Sequence, residues 1–293
     1  MKKENFLIID GNLLMFQSFY ATYNPYNSYV MTSNKGVTTN GTFQFFTTLI
    51  NLLEELKPKY LFIAFDAKGK TKRHEEYPDY KAGRTKAPEI IYEQFESVKK
   101  LLTLLKINHN EIVGAEADDL IATVSKINEV SKYIYSKDQD LLQLVKEDIS
   151  IIYKNPETKK FATVNKDNFY DIYNFYPNQI PDYKAINGDT SDNLPGVKGI
   201  GKIGAIKLLE QFGSIHNVYD NIDKLTLKMQ EKLLNSKEMS LLCYKLACLN
   251  NNVSDLQLDK NLYLYNIDIE NAKDYFIELD LLRVFLRLEN LKW

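Results

Sequence analysis

The chain has 293 residues, 44% hydrophobic and 26% charged, with a formal net charge of −2. It can bury a sizeable core as one large or two modest domains, and its near-neutral balance excludes a globally basic nucleic-acid binder, so any polyanion must be met by local patches. Cys243 and Cys248 lack metal-ligand partners and exclude a disulfide scaffold, and no apolar run approaches a membrane span; a soluble, cytoplasmic, non-exported protein is expected.

Residues 6–9 (FLII) read as a short buried strand ending in Asp10, followed by Gly11, Asn12 and a polar, Tyr- and Asn-rich connection. The stripe Phe43, Phe46, Leu49, Ile50 and Leu53 predicts a core helix that Pro58 terminates. Residues 60–65 (YLFIAF) form a second apolar strand, and it too ends in an acid, Asp66. Residues 67–87 break the pattern. Lys68, Lys70, Lys72, Arg73, Lys81, Arg84 and Lys86 lie among Tyr77, Tyr80, Glu75, Glu76 and Asp79, with no core face. Basic residues interleaved with aromatics suit a single-stranded nucleic-acid path, whereas the same composition in isolation also describes a solvated charged loop.

Pro88 opens the next helix, with Ile91, Phe95, Val98, Leu102 and Leu105 on its packed face. Glu116, Asp118 and Asp119 then occupy the first turn of a helix continued by Leu120, Ile121 and Val124. The helix dipole accounts for one or two acids there, at about 0.3–1 kcal/mol each. Three crowd like charges, which divalent cations would offset if the acids face the strand ends. A third strand, residues 133–136, leads to Asp138 and Asp140. Strands alternating with amphipathic helices imply a mostly parallel, right-handed α/β sheet with its site beyond the strands' carboxyl ends, where Asp10, Asp66, Asp138 and Asp140 would converge. Residues 149–163 read as a hairpin turning near Pro156, and from Asn165 onward the pattern is helical. In residues 186–205, Asp189 and Asp192 precede a glycine-punctuated turn, Gly196, Gly199 and Gly201, which can present backbone N–H groups to a phosphate. Lys198, Lys202 and Lys207 add charge for a nucleic-acid backbone, without any base-reading group.

Six ordered motifs carry a resemblance: Ile9-Asp10-Gly11, Phe65-Asp66, Tyr80-Lys81-Ala82-Gly83-Arg84, Glu116-Ala117-Asp118-Asp119, Asp138-Gln139-Asp140-Leu141, and the run from Gly188 to Gly201. Together they resemble the bacterial 5'-3' exonuclease and flap endonuclease family, the module at the N-terminus of bacterial DNA polymerase I. The resemblance implies a PIN-like α/β nuclease domain (residues 1–164, with a helical arch at 67–87) joined to a helical region (165–293). That second region would hold a helix-three-turn-helix DNA-binding hairpin at 186–205. By matching motif, Asp10, Asp66, Glu116, Asp118 and Asp119 would surround one Mg2+, and Asp138, Asp140, Asp189 and Asp192 a second, with Mn2+ a substitute and K+ a further cation at the hairpin. Tyr80, Lys81 and Arg84 match positions that engage the threaded strand and scissile phosphate. Arg73, Gly196, Lys198, Gly199, Gly201, Lys202 and Lys207 would bind DNA.

The implied activity is metal-dependent hydrolysis of DNA at 5' ends, 5' flaps or single-strand/duplex junctions, RNA-primed ends among them, by a stand-alone monomeric nuclease of primer removal and repair. Ala115 and Gln139 depart from the family's usual aromatic and lysine, which bears on rate or substrate fit. A non-catalytic DNA-binding protein would be expected to have lost acids from one cluster, and this chain keeps all nine. A PIN-type ribonuclease would lack the hairpin and the basic arch.

Overall fold

The computed structural model describes residues 3–24 and 30–291; residues 25–29 of the Tyr- and Asn-rich connection lie outside the described residues. β1 (Glu4–Asp10) runs into α1 (Gly11–Tyr20), which replaces the expected polar connection. The Asp10 carboxylate caps this helix by accepting from the Leu13 N–H at 2.9 Å, and Leu14, Met15 and Phe19 bury its inner face. Gly11 and Asn12, which the sequence placed at the strand's end, are here the first helical residues. α2 (Asn40–Leu56) and β2 (Tyr60–Ala64) follow as expected. Then come a five-residue α3 (Lys72–Glu76), α4 (Ile90–Leu104), and β3 (His109–Asn110), a strand too short to carry an apolar pattern. α5 (Ala117–Val124), β4 (Val130–Tyr135), β5 (Ile149–Lys154) and β6 (Phe161–Val164) complete the sheet.

The strand order is β3-β2-β1-β4-β5-β6. All pairs are parallel except β5 with β6, which is the expected hairpin. Strands buried on both faces need apolar residues at every position. Leu7 and Ile9 of β1 pack among α1, α2 and α4, whereas Phe6 and Ile8 pack with α5 on the other face.

The helical half comprises α6 (Phe169–Tyr173), α7 (Ile180–Asn187), α8 (Lys202–Phe212), α9 (Ile215–Asp220), α10 (Leu227–Asn235) and α11 (Lys237–Ala247). It has its own core around Ile186, Leu208, Ile215, Leu233 and Cys243. α12 (Ile269–Glu278) and α13 (Leu282–Glu289) return to the first half. Their Ala272, Phe276, Val284 and Phe285 complete the core over α2 and α4. The terminal helices therefore pack on the core of the first half, while residues 185–246 share a separate core. No helix among the described residues is long and apolar enough to cross a membrane.

Candidate active site

Parallel strands expose their carboxyl ends on one edge of the sheet, and β1, β2 and β4 place Asp10, Asp66 and Asp138 there. Asp10 is fixed twice, by the Leu13 N–H and by the Ser136 hydroxyl, which donates to Oδ2 at 3.0 Å. Asp66 accepts from the Asn12 amide at 2.9 Å and from the Ala117 N–H at 2.8 Å, so the amino end of α5 holds it. Asp138 accepts from the Asp140 N–H at 2.8 Å, a tight local turn that aims both acids the same way. Carboxylate oxygens of Asp118, Asp138 and Asp140 lie within 4.8 Å of one another.

Such crowding is unfavourable without a counter-charge. Burial, then the charges of Asp138, Asp10 and Asp140, hold the Asp118 carboxyl well above the ordinary range. Burial, reinforced by Asp138 and Asp66, pushes Asp10 up to about 7. Asp140 also rises to about 7, again from burial, even though Lys184 opposes the shift. The donors are all carboxylate oxygens, the set that hard divalent cations prefer, and neither histidine nor cysteine joins them. The residues thus fit divalent ions.

The basic segment lies across this edge. Within residues 67–87 the only helix is α3, and turns 79–84 dock on the loop 188–194. Contrary to the coreless charged stretch read from composition, Thr71 and Tyr80 are buried. The Tyr80 hydroxyl donates to Glu116 and to Asp192, each at 3.2 Å. Lys81 Nζ lies 2.9 Å from Glu116 Oε2, and Arg84 Nη2 lies 2.9 Å from Asp192 Oδ1. Lys81 is 58° in φ, a left-handed residue whose N–H donates to the Asp192 carbonyl at 3.1 Å.

Two of the expected site residues are paired with each other. Arg73, expected on DNA, turns inward and forks onto Asp119 with two 2.8 Å hydrogen bonds. Asp119, expected on a metal, is used up by that fork and by the Asn250 N–H at 2.9 Å. It stands outside the cluster of Asp118, Asp138 and Asp140. Asp189 and Asp192 reach the site on the loop after α7. The Lys184 ammonium pairs with Asp140 and, at 2.6 Å, with Asp189; burial would raise the Asp189 carboxyl, but Lys184 and Ser191 bring it below the ordinary range.

The loop depends on Gly188 and Gly196, at φ 78° and 63°. A Cβ on Gly196 would lie 2.3 Å from the Gly188 nitrogen, and the loop is closed by paired 2.7 and 2.8 Å hydrogen bonds between Asp189 and Leu194. Gly199 is also left-handed, whereas Gly201 is extended, caps α8 and has open space around it, so it is not required by backbone shape. Lys198, Lys202 and Lys207 are exposed around this turn, and no ion pair among the described residues engages them.

Sequence reasoning missed Lys184, Asn12 and Ser136. Lys184 is 2% exposed on α7, and a lysine followed directly by Ala185 and Ile186 was the available signal. Asn12 follows directly on the Asp10 motif, and its amide both donates to Asp66 and accepts the Asp66 N–H at 3.0 Å.

Residues 5–174 match the family described as 5'-3' exonuclease, N-terminal resolvase-like domain, and residues 175–270 match 5'-3' exonuclease, C-terminal SAM fold. A 5'-3' exonuclease of Mycoplasmopsis pulmonis is 36% identical over 273 residues, which cover 92% of this chain and 88% of that protein. DNA polymerase I of Lactococcus lactis is 36% identical over 284 residues, 94% of this chain and 32% of the polymerase, so the chain spans about a third of that relative. T5 5'-exonuclease with bound zinc superimposes with a TM-score of 0.69 at 22% identity, over 94% of this chain and 100% of its own. The catalytic core of Rad2 in complex with DNA substrate gives 0.63 at 14% identity, over 97% and 92%. These two likenesses concern the fold. The acidic strand ends, the basic segment and the glycine-turn loop thus sit in a chain matched from residue 5 to residue 270, and the chain belongs to the 5'-3' exonuclease family.

Proposed function

We propose that this chain is a Mg2+-dependent 5'-3' exonuclease and 5'-flap endonuclease acting on DNA ends and single-strand/duplex junctions, in primer removal and repair. The observation that carries this reading is the convergence of Asp118, Asp138 and Asp140 within 4.8 Å beneath Lys81 and Arg84. Asp10, Asp66, Glu116 and Asp118 would hold one divalent ion and Asp138, Asp140, Asp189 and Asp192 a second. Two such ions on carboxylates supply the Lewis-acid chemistry of in-line phosphodiester hydrolysis.

The chain's own groups do the rest. Lys81 and Arg84 exchange their carboxylate partners for the phosphoryl oxygens, where fixed cations stabilise developing charge. Tyr80 keeps Glu116 and Asp192 in register through its hydroxyl. Asn12 and Ser136 orient Asp66 and Asp10. Lys198, Lys202 and Lys207 take the duplex backbone without reading bases. A potassium ion at the hairpin would be a further cation, beside a Gly199 carbonyl that accepts from Lys232 Nζ at 2.6 Å.

The test is a comparison of 5'-flap, 5'-overhang, blunt and RNA-primed duplexes in Mg2+, Mn2+, Ca2+ or EDTA. The reading expects cutting in Mg2+ and Mn2+, fastest at flaps and overhangs, with a 5'-phosphate on the product. Binding without cutting in either metal would turn the assignment to a structure-specific DNA-binding protein.

A further inference from the structure

We propose that Arg73 is a positioning residue: with Asp119 as its counter-ion, it ties the basic segment to the catalytic helix α5 and to the end of α11, and neither residue contacts DNA or metal. This rests on the nuclease reading above. The Arg73 guanidinium gives both terminal nitrogens to Asp119 at 2.8 Å, Nε to the Leu246 carbonyl at 2.9 Å, and Nη2 also to the Cys248 carbonyl at 3.0 Å. Nη1 lies 3.3 Å from Glu116 Oε2. The side chain is 12% exposed and that of Asp119 is 6% exposed. Asp119 further accepts the Asn250 N–H at 2.9 Å and the Glu116 N–H at 3.3 Å.

Three segments far apart in sequence therefore meet on one planar fork, and every polar edge of that fork is used. A phosphate could reach Arg73 only by displacing Asp119, which would leave a buried carboxylate unpaired. Glu116 is held between Arg73 and Lys81, so loosening the fork shifts a carboxylate of the site itself. A lysine cannot replace the fork, because its single ammonium lacks the paired, planar geometry.

The experiment compares wild type with Arg73→Gln, Arg73→Lys and Asp119→Asn. Flap-DNA affinity is measured in Ca2+ across about 50 to 200 mM salt, divalent binding by calorimetry, and kcat and KM in Mg2+, normalised to the DNA-binding-competent fraction. The proposal expects the salt slope and KM of both arginine variants to match wild type, with kcat down about 10–100-fold as for a small misplacement of a reacting group. Asp119→Asn should bind divalent ions as wild type does, and the Arg73→Gln/Asp119→Asn double variant should melt no lower than the worse single. A phosphate contact would instead make the Arg73→Gln slope shallower by about 0.9, while Arg73→Lys kept its rate. That result, or loss of divalent binding in Asp119→Asn, overturns the proposal. Should Arg73→Gln fail to fold, Arg73→Lys decides alone, since a point charge satisfies a phosphate but not a fork. Failure of the wild type to cut would count against the nuclease reading, and the slope comparison would still test the tie.

Discussion

Lys184 carries the electrostatics of the site in its metal-free form. Its ammonium is buried between Asp140 and Asp189, so Lys184→Met would leave both acids without their shared counter-ion. Breaking a buried pair from one side costs about 3–5 kcal/mol. The variant should lose about that much in urea unfolding without divalent ions and recover part of it when they are added. Asp118 behaves oppositely. Its carboxyl is raised by burial and by three neighbouring acids, so Asp118→Asn, which removes a crowded buried charge, should stabilise the metal-free protein. At about 2–4 °C per kcal/mol, a thermal melt resolves the gain. The same variant should lose nearly all cleavage while retaining DNA affinity, because ligands of one site act as a unit. A melt below wild type would contradict the like-charge account.

At the scale of elements, the loop 188–196 decides whether Asp189 and Asp192 reach the strand ends at all. Gly196→Ala would force a Cβ to within 2.3 Å of the Gly188 backbone at a left-handed φ. Strain and overpacking together should cost about 3 kcal/mol or more. A two-state urea titration checks this, and Gly201→Ala is the control expected to be close to neutral in stability, because Gly201 is extended with open space around it. Neutralising Lys198, Lys202 or Lys207 should each flatten the salt dependence of DNA affinity by about 0.9 in slope without changing sequence preference.

β1 and β2 were legible because each is a continuous apolar run with an acid at its end, whereas β4 was legible only in its second half, since Ser131 and the buried Lys132 interrupt the first. α1 was hidden because it opens on Gly11 and Asn12, two poor helix formers, and β3 because two residues carry no periodicity. The buried roles of Thr71, Arg73 and Tyr80 were illegible for a different reason. Their partners, Glu116, Asp119 and Asp192, lie 36 to 112 residues away, and a charge-rich segment gives no local sign that it will be covered.

For the whole molecule, the acidic edge makes stability depend on pH in a stated direction. Asp10 and Asp140 rise from their usual 3.8 to about 7 in the folded chain. The folded state therefore binds more protons than the unfolded chain between about pH 7 and 4, and stability contributed by these groups rises as pH falls through that window. Below it no further gain is available, and Asp189 and Asp148, held low by Lys184 and Lys132 against burial, then lose their contribution. Metal-free protein should melt higher at pH 6 than at pH 8. Divalent ions, which bind the folded carboxylates, should raise the pH 8 melt more than the pH 6 one.

The two halves are joined at this same edge. The basic segment of the first half docks on the loop of the second, and α12 and α13 fold back over α2 and α4. The motif order made the family visible in sequence, but this interlocking could only be seen in three dimensions, since no single segment holds both sides of any of these contacts.

The most direct measurement of the central claim is cleavage of a labelled 5'-flap duplex in Mg2+ by wild type, by wild type with EDTA and by Asp118→Ala. Cutting near the junction by wild type alone, with flap binding intact in the variant, is the result predicted by a carboxylate-held metal centre. Equal cutting by Asp118→Ala, or cutting that survives EDTA, would contradict it.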